Sequence, residues 1–236
     1  MRARRVWAVV PAAGRGERFG GGRPKQYETL AGRAVIEWSV SALLACRDVV
    51  GVMVALAGDD RDWSTLAIAS DHRVHTCRGG KHRSDSVLAG LEALHELNAD
   101  DTDPVLVHDA ARPAVTAAAI EALIRGADGP SGGLLALPVA DTLKRGEAGE
   151  SVATAERSGL WAAQTPQMFP LGTLREALRE GRAQGVAVTD EAQAMERRGY
   201  RPRLVAGEAG NIKLTRRGDR VLLEAILHSR TRGQTE

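Results

Sequence analysis

Four apolar runs frame this chain: Val6-Trp7-Ala8-Val9-Val10, Val49 to Leu56, Val105-Leu106-Val107 and Gly133 to Val139. Segments this continuously apolar have no polar face to offer water, so they read as strands covered on both sides. Helical stripes lie between them. Val35, Ile36, Val40, Leu43 and Leu44 mark a helix from Ala34 to Cys46, Asp59 to Ala69 predicts a second, and Arg73 to Cys77 a short strand. Beyond Gly79-Gly80, Val87, Leu88, Leu91, Leu94 and Leu97 share one helical face with Ser84 as its cap, and Thr116 caps Ala117 to Ala127. Strands alternating with helices at this pace predict an α/β fold, a doubly wound and mostly parallel sheet with helices on both faces.

The rhythm changes at Pro138. Asp141 to Arg145, a turn at Gly146-Glu147-Ala148-Gly149 and a stretch from Ser151 to Ala163 without a helical stripe predict a β-hairpin arm over residues 138–164 that projects from the sheet. Helical spacing returns with Leu174, Ala177 and Leu178, and again after Thr189-Asp190-Glu191. Arg201 to Val205 and Asn211 to Leu214 predict short strands, and Thr215 caps a last helix through Val221, Leu222, Ala225, Ile226 and Leu227. With no repeat and no linker, the 236 residues read as one domain spanning 1–236.

Composition excludes several partners. Aromatic residues are 3% of the chain, too few for platforms on which bases stack, and a formal charge of +2 without a Lys/Arg block argues against polynucleotide binding. Cys46 and Cys77 lack the spacing of a zinc site and read as small hydrophobes in a reducing compartment. The apolar run after the basic start is too short for a signal peptide or a membrane span, so a cytoplasmic protein is expected.

The first strand feeds Pro11-Ala12-Ala13-Gly14-Arg15-Gly16-Glu17-Arg18 and then Gly20-Gly21-Gly22-Arg23-Pro24-Lys25. Glycines admit phosphate oxygens close to backbone N–H groups, and fixed cations complete such a cradle. Two better-known glycine motifs do not fit. After Gly14 and Gly16 the third glycine of a dinucleotide fingerprint would come at position 19, where Phe19 stands, and Lys25 is followed by Gln26 instead of the Ser or Thr of a P-loop. A glycine-rich surface turn is common, but Arg15, Arg18 and Lys25 directly behind a buried strand favour a polyphosphate ligand.

Asp109 stands where Val105-Leu106-Val107 ends, at the carboxyl edge where open α/β sheets place ligands, and a carboxylate there can hold Mg²⁺ against phosphate. Taken alone it reads equally as a turn residue, Arg112 as its salt-bridge partner, and Lys213 as a solvent-facing strand residue. His72, His75, His82 and His95 show no ligand spacing and read as structural, and no Ser/His/Asp order supports acyl chemistry.

Six stretches in order carry more than any one of them. The opening loop with Pro24-Lys25-Gln26-Tyr27, Arg83-Ser84-Asp85-Ser86-Val87, Val107-His108-Asp109-Ala110-Ala111-Arg112-Pro113, Thr165-Pro166-Gln167, Thr189-Asp190-Glu191-Ala192 and Asn211-Ile212-Lys213 together resemble the 2-C-methyl-D-erythritol 4-phosphate cytidylyltransferases. The resemblance spans almost the whole chain. It implies a Rossmann-like sheet of the nucleotidyltransferase type with a dimerising β-arm, and transfer of a cytidylyl group from CTP to 2-C-methyl-D-erythritol 4-phosphate with Mg²⁺, releasing pyrophosphate. By the family pattern Arg18 and Lys25 stabilise charge on the α-phosphate and the leaving pyrophosphate, Arg157 and Lys213 position the incoming phosphate, and Asp109 holds the metal. Pro11, Ala12, Ala13, Gly14 and Gly16 line the triphosphate, Gly80, Arg83 and Ser86 the cytosine, with Ala110 beside them. Thr142, Thr165, Thr189 and Arg112 match positions around the methylerythritol phosphate. The resemblance further implies a homodimer in which Thr142 and Arg157 serve the neighbouring subunit's site. Phe19 and Lys81-His82 depart from the family pattern, the latter replacing an acidic pair in the cytosine loop. Two other readings compete: a cytidylyltransferase using ribitol 5-phosphate, and a catalytically silent nucleotide-binding protein.

Overall fold

A computed structural model of the chain describes residues 5–14 and 23–232. The chain runs β1 (Val6–Pro11), β2 (Thr29–Leu30), β3 (Arg33–Ala34), α1 (Val35–Leu44), β4 (Val49–Leu56), β5 (Val74–Arg78), α2 (Arg83–Glu96), β6 (Pro104–Val107) and α3 (Ala117–Gly126). It continues through β7 (Gly133–Pro138), β8 (Leu143–Glu147), β9 (Glu150–Ala155), β10 (Trp161–Pro170), α4 (Leu171–Ala183), α5 (Glu191–Arg197), β11 (Arg203–Ala206) and α6 (Asp219–Arg232).

Seven strands form one sheet in the order β11-β7-β10-β6-β1-β4-β5. Strands β6, β1, β4 and β5 pair in parallel, as do β11 and β7, while β10 enters antiparallel between β6 and β7. The sheet is therefore mixed and mostly parallel. Side-chain alternation explains why the strand sequences are apolar throughout. Val6, Ala8 and Val10 face one layer with Ile36, Leu43, Ile120 and Leu123, whereas Trp7 and Val9 face the other with Val87, Leu91, Leu94 and Leu174. Both layers are sealed, and each buried aliphatic side chain contributes about 1.5–3 kcal/mol relative to exposure.

Several local expectations are corrected. Residues 59–69 form no α-helix but two short 3₁₀ turns, Trp63–Thr65 and Ala67–Ser70. Asp60 Oδ1 accepts the N–H groups of Asp62 and Trp63, an alternative to helical bonding that a short acidic side chain offers. Helix α2 takes His82, not Ser84, as its cap position, and Asp85 Oδ2 accepts the His82 N–H. The segment 211–214 is irregular, and α6 begins at Asp219, whose carboxylate accepts from the N–H groups of Thr215 and Arg216. Strand β10, which runs through Pro166, was not foreseen. Its residues Trp161, Ala162 and Ala163 pair with Pro138, Leu137 and Ala136 of β7, so the last part of the expected arm belongs to the main sheet. The hairpin β8–β9 forms its own two-stranded sheet. Among the described residues no helix is long and apolar enough to cross a membrane.

Candidate active site

The carboxyl ends of β1, β5 and β6 open into one cleft of about 250 Å³. Pro11 to Gly14 form one wall, Gly80 to Arg83 with Ser86 a second, Asp109 to Ala111 the floor, and Lys25, Gln26 and Lys213 close it. Local bonding fixes each wall. Gln26 Nε2 donates to the carbonyls of Ala12 (2.8 Å) and Gly14 (3.1 Å), tying the two ends of the glycine-rich loop together. The Ser86 hydroxyl accepts the Gly80 N–H at 3.1 Å, which folds the β5 exit against α2. The approach is tight enough to require glycine: a Cβ at position 79 would lie 2.7 Å from that of Ala13, and one at position 80 would overlap Asp85.

Asp109 is the only carboxylate lining this cleft among the described residues, and it is the hub of the site's charges. Its Oδ1 accepts from Arg83 Nε at 2.9 Å, its Oδ2 lies 2.7 Å from Lys213 Nζ, and Arg112 Nε is 3.7 Å from the same oxygen. Burial alone would raise its carboxyl pKa, but the charges of Arg83 and Lys213 and their hydrogen bonds outweigh it and hold the group well below the usual carboxylate range. Arg83 in turn grips Glu191 with both terminal nitrogens, at 2.6 and 3.0 Å. Three cations thus surround two carboxylates, and Lys25, whose Nζ donates to the Leu214 carbonyl at 3.0 Å, adds a fourth. The surplus is positive, as an anion site requires.

Behind Asp109 lies a buried polar chain. The Asp109 N–H donates to Thr165 Oγ1 at 3.0 Å, Thr165 Oγ1 lies 3.1 Å from His108 Nδ1, and His108 Nε2 lies 3.1 Å from the Arg112 carbonyl. Burial lowers the His108 pKa to about 4, so the ring is neutral at pH 7. A carbonyl only accepts, so Nε2 carries the ring proton and Nδ1 accepts from the Thr165 hydroxyl. Asn211 Nδ2 donates to the Thr165 carbonyl at 2.8 Å, and Arg112 Nη1 donates to the Asn211 carbonyl at 2.7 Å.

Residues 6–229 match the family model described as 2-C-methyl-D-erythritol 4-phosphate cytidylyltransferase. The chain belongs to this family. It is 52% identical over 217 residues to the cytidylyltransferase of that name from Ectopseudomonas mendocina, covering 91% of this chain and 92% of the relative. The one from Halorhodospira halophila is 51% identical over 228 residues, with 94% of each chain covered. The crystal structure of a 4-diphosphocytidyl-2C-methyl-D-erythritol synthase superposes with a TM-score of 0.84 at 37% identity over 95% of this chain and 99% of that one. The Francisella tularensis cytidylyltransferase superposes with a TM-score of 0.82 at 30% identity, over 94% and 99%. The chain is accordingly a nucleotidyltransferase of the non-mevalonate isoprenoid pathway, on the mixed, mostly parallel sheet of this cytidylyltransferase family.

Of the positions expected from sequence, Pro11, Ala12, Ala13, Gly14, Lys25, Gly80, Arg83, Ser86, Asp109, Ala110 and Lys213 line the one cleft. Arg112 and Thr165 adjoin it through Asp109. Thr189 borders a separate hollow with Trp161 and Ala163. Thr142 and Arg157 are exposed beside the hairpin and do not line the cleft of their own chain. Gly16 and Arg18 lie outside the described residues. His82, expected to be structural, lines the cleft together with Lys81. Gln26, His108, Glu191 and Asn211 were assigned no role from sequence, and all four are buried polar groups that hold the others in place. The signal available was their position inside the family stretches, since burial of a polar side chain leaves no periodic trace.

Proposed function

We propose that this cytidylyltransferase transfers the cytidylyl group of CTP to 2-C-methyl-D-erythritol 4-phosphate, with the cleft at the ends of β1, β5 and β6 as its nucleotide site. The supporting observation is the convergence of Lys25, Arg83 and Lys213, from three distant parts of the chain, on a cleft floored by Asp109. The acceptor phosphate oxygen bonds to the α-phosphorus of CTP as the bond to the bridging oxygen breaks, and pyrophosphate leaves with that electron pair. Little covalent chemistry falls to the protein, which holds two anions in line and offsets the charge of the transition state. Arg18 and Lys25 serve the α-phosphate and the leaving group, while Lys213 and Arg157 hold the acceptor phosphate. We assign the backbone from Pro11 to Gly14, with Gly16, to the triphosphate, and Gly80, Arg83, Ser86 and Ala110 to the nucleoside. Arg112, Thr142, Thr165 and Thr189 surround the acceptor.

The donor set suits a divalent cation bound largely through the nucleotide. The cleft presents one ionised carboxylate, and no group of three or more His, Cys, Asp or Glu side chains able to hold a metal occurs among the described residues. Mg²⁺ takes one or two carboxylates and completes its shell with phosphate oxygens and water. Asp109 would hold it, and the ion would supply charge neutralisation across the phosphates.

Because Arg157 and Thr142 stand away from the cleft of their own chain, we assign them to the site of a second subunit, which makes the homodimer the active unit. The hairpin lies in one domain with the sheet. The free Cys46 and Cys77 suit the cytoplasm, where we place the reaction. Pyrophosphate release from CTP and Mg²⁺ with methylerythritol phosphate, compared with ribitol 5-phosphate, tests the assignment. Turnover with ribitol 5-phosphate alone overturns the acceptor, and CTP binding without turnover on either makes the protein a silent binder.

A further inference from the structure

Glu191 is 1% exposed, at the start of α5, and no solvent competes for its carboxylate. Both of its oxygens are taken by the terminal nitrogens of Arg83, at 2.6 and 3.0 Å, while the third nitrogen of that guanidinium, Nε, donates to Asp109 Oδ1 at 2.9 Å. A guanidinium is planar and presents its donors as a rigid fork. With one edge fixed on Glu191, the direction of Nε is fixed too, and with it the plane of the Asp109 carboxylate. Glu191 is itself anchored, because the adjoining residues of α5 are pinned to β10. Gln167 Nε2 donates to Asp190 Oδ2 at 2.9 Å, and Gln167 Oε1 accepts the Ala192 N–H at 2.8 Å. A continuous line of bonds therefore runs from the sheet through α5 and Arg83 to Asp109, joining segments 108 residues apart in sequence.

We infer that Glu191 is a positioning residue of the reaction: by clamping Arg83 it sets the orientation in which Asp109 receives the metal–nucleotide complex. The inference rests on the proposed role of Asp109 as the metal's protein ligand. It predicts more than a buried ion pair would. A pair that only holds the fold changes thermal stability when broken, whereas a pair that aims a ligand also changes metal affinity, by about 10- to 100-fold for groups that orient a metal's ligands.

The experiment measures Mn²⁺ affinity in the presence of CTP, by electron paramagnetic resonance, alongside the thermal midpoint, kcat and KM. The variants are Glu191→Gln, Asp109→Asn and the two combined, each in the full chain. Glu191→Gln should weaken Mn²⁺ binding about tenfold and lower kcat by a similar factor. Asp109→Asn should weaken Mn²⁺ binding further, and the double variant should be no weaker than Asp109→Asn alone, because the two side chains act along one path. A folded Glu191→Gln protein with wild-type Mn²⁺ affinity, or losses that add in the double variant, overturns the inference. Wild-type Mn²⁺ affinity in Asp109→Asn overturns instead the reading of Asp109 on which it rests. If Glu191→Gln does not fold, Arg83→Lys replaces it: a single ammonium cannot bridge both carboxylates in the fork geometry, so the same loss of Mn²⁺ affinity is expected, and its absence overturns the inference.

Discussion

The Lys213 ammonium lies 2.7 Å from Asp109 Oδ2, so an irregular segment near the end of the chain completes the charge pattern at the end of a central strand. Lys213 is 38% exposed, which leaves it open to the cleft while Asp109 fixes its position. Lys213→Ala should lower kcat/KM by about 10²–10³, the usual cost of losing one preorganised group that stabilises developing charge. The thermal midpoint should fall as well, because the buried Asp109 carboxylate loses one of its two close cationic partners and keeps only Arg83. Steady-state pyrophosphate release with a parallel melting curve checks both.

Lys25 should act on the transition state more than on bound CTP. Its Nζ is held by the Leu214 carbonyl next to Lys213, so the two ammonium groups are placed by one short segment. Lys25→Ala should reduce kcat by at least about tenfold more than it weakens CTP binding measured by calorimetry. Equal losses in the two measurements would make Lys25 a ground-state ligand.

Gly90 should be irreplaceable for packing. It faces β1 from the middle of α2, where a Cβ would lie 2.6 Å from Cγ1 of Val9, a side chain with no exposed surface and no room to yield. Alanine favours a helix by about 1 kcal/mol over glycine, but overpacking a filled core costs about 1–3 kcal/mol. Gly90→Ala should therefore lower the urea midpoint, and a raised midpoint would show that α2 can shift on the sheet.

The strands were legible because burial on both faces removes polar residues from them, as in Val49 to Leu56, and α3 was legible because Thr116 does accept the Ala119 N–H. Sequence pattern and structure part where side chains replace backbone partners. Over Asp59 to Ala69 only Trp63 and Leu66 stand at helical spacing, and there Asp60 bonds the backbone while these apolar groups pack against the core. Pro166 hid β10, since proline cannot donate to a ladder and so argues against a central strand. In the site, Asp109 at its strand end read equally as a turn residue until the family stretches were taken together, while Lys25 was legible from charge beside glycines. Glu191 was not, because what makes it matter is an arginine 108 residues away.

High pH should destabilise the chain through the protons of Cys46, Cys77 and Tyr27, each held by burial. Burial, with Glu96 adding, pushes the Cys77 thiol up from 9.0 to about 11. Tyr27 is also raised, by burial first and then by its hydrogen bond to Asp60 at 2.6 Å. These groups keep their protons in the folded chain at pH values where the unfolded chain has released them. The stability from Cys77 is whole below about pH 9 and is lost as pH rises to about 11, whereas that from Tyr27 begins to fall only above about pH 10 and is still falling beyond 11, with a ceiling of about 1.4 kcal/mol per pH unit per proton. Urea unfolding between pH 8 and pH 11 should show this fall, and Cys77→Ala should flatten it. An unchanged slope in that variant would remove the thiol from the account.

The hairpin should make the active sites interdependent. Arg157 is exposed between β9 and β10 and does not line the cleft that holds Lys213 of its own chain, while Val152 on the hairpin and Leu160 and Trp161 beside it leave apolar surface at 52%, 43% and 39% exposure. If Arg157 serves a second subunit, Lys213→Ala and Arg157→Ala dimers are each inactive, yet a mixed dimer pairs the intact Lys213 of one chain with the intact Arg157 of the other. Random exchange makes about half the dimers mixed, with one of two sites intact, so activity should recover to about a quarter of wild type. If Arg157 instead serves its own chain, both sites of every mixed dimer carry one lesion and no activity returns. Subunit exchange confirmed by mass spectrometry of differently tagged chains, followed by a pyrophosphate assay, separates the two arrangements.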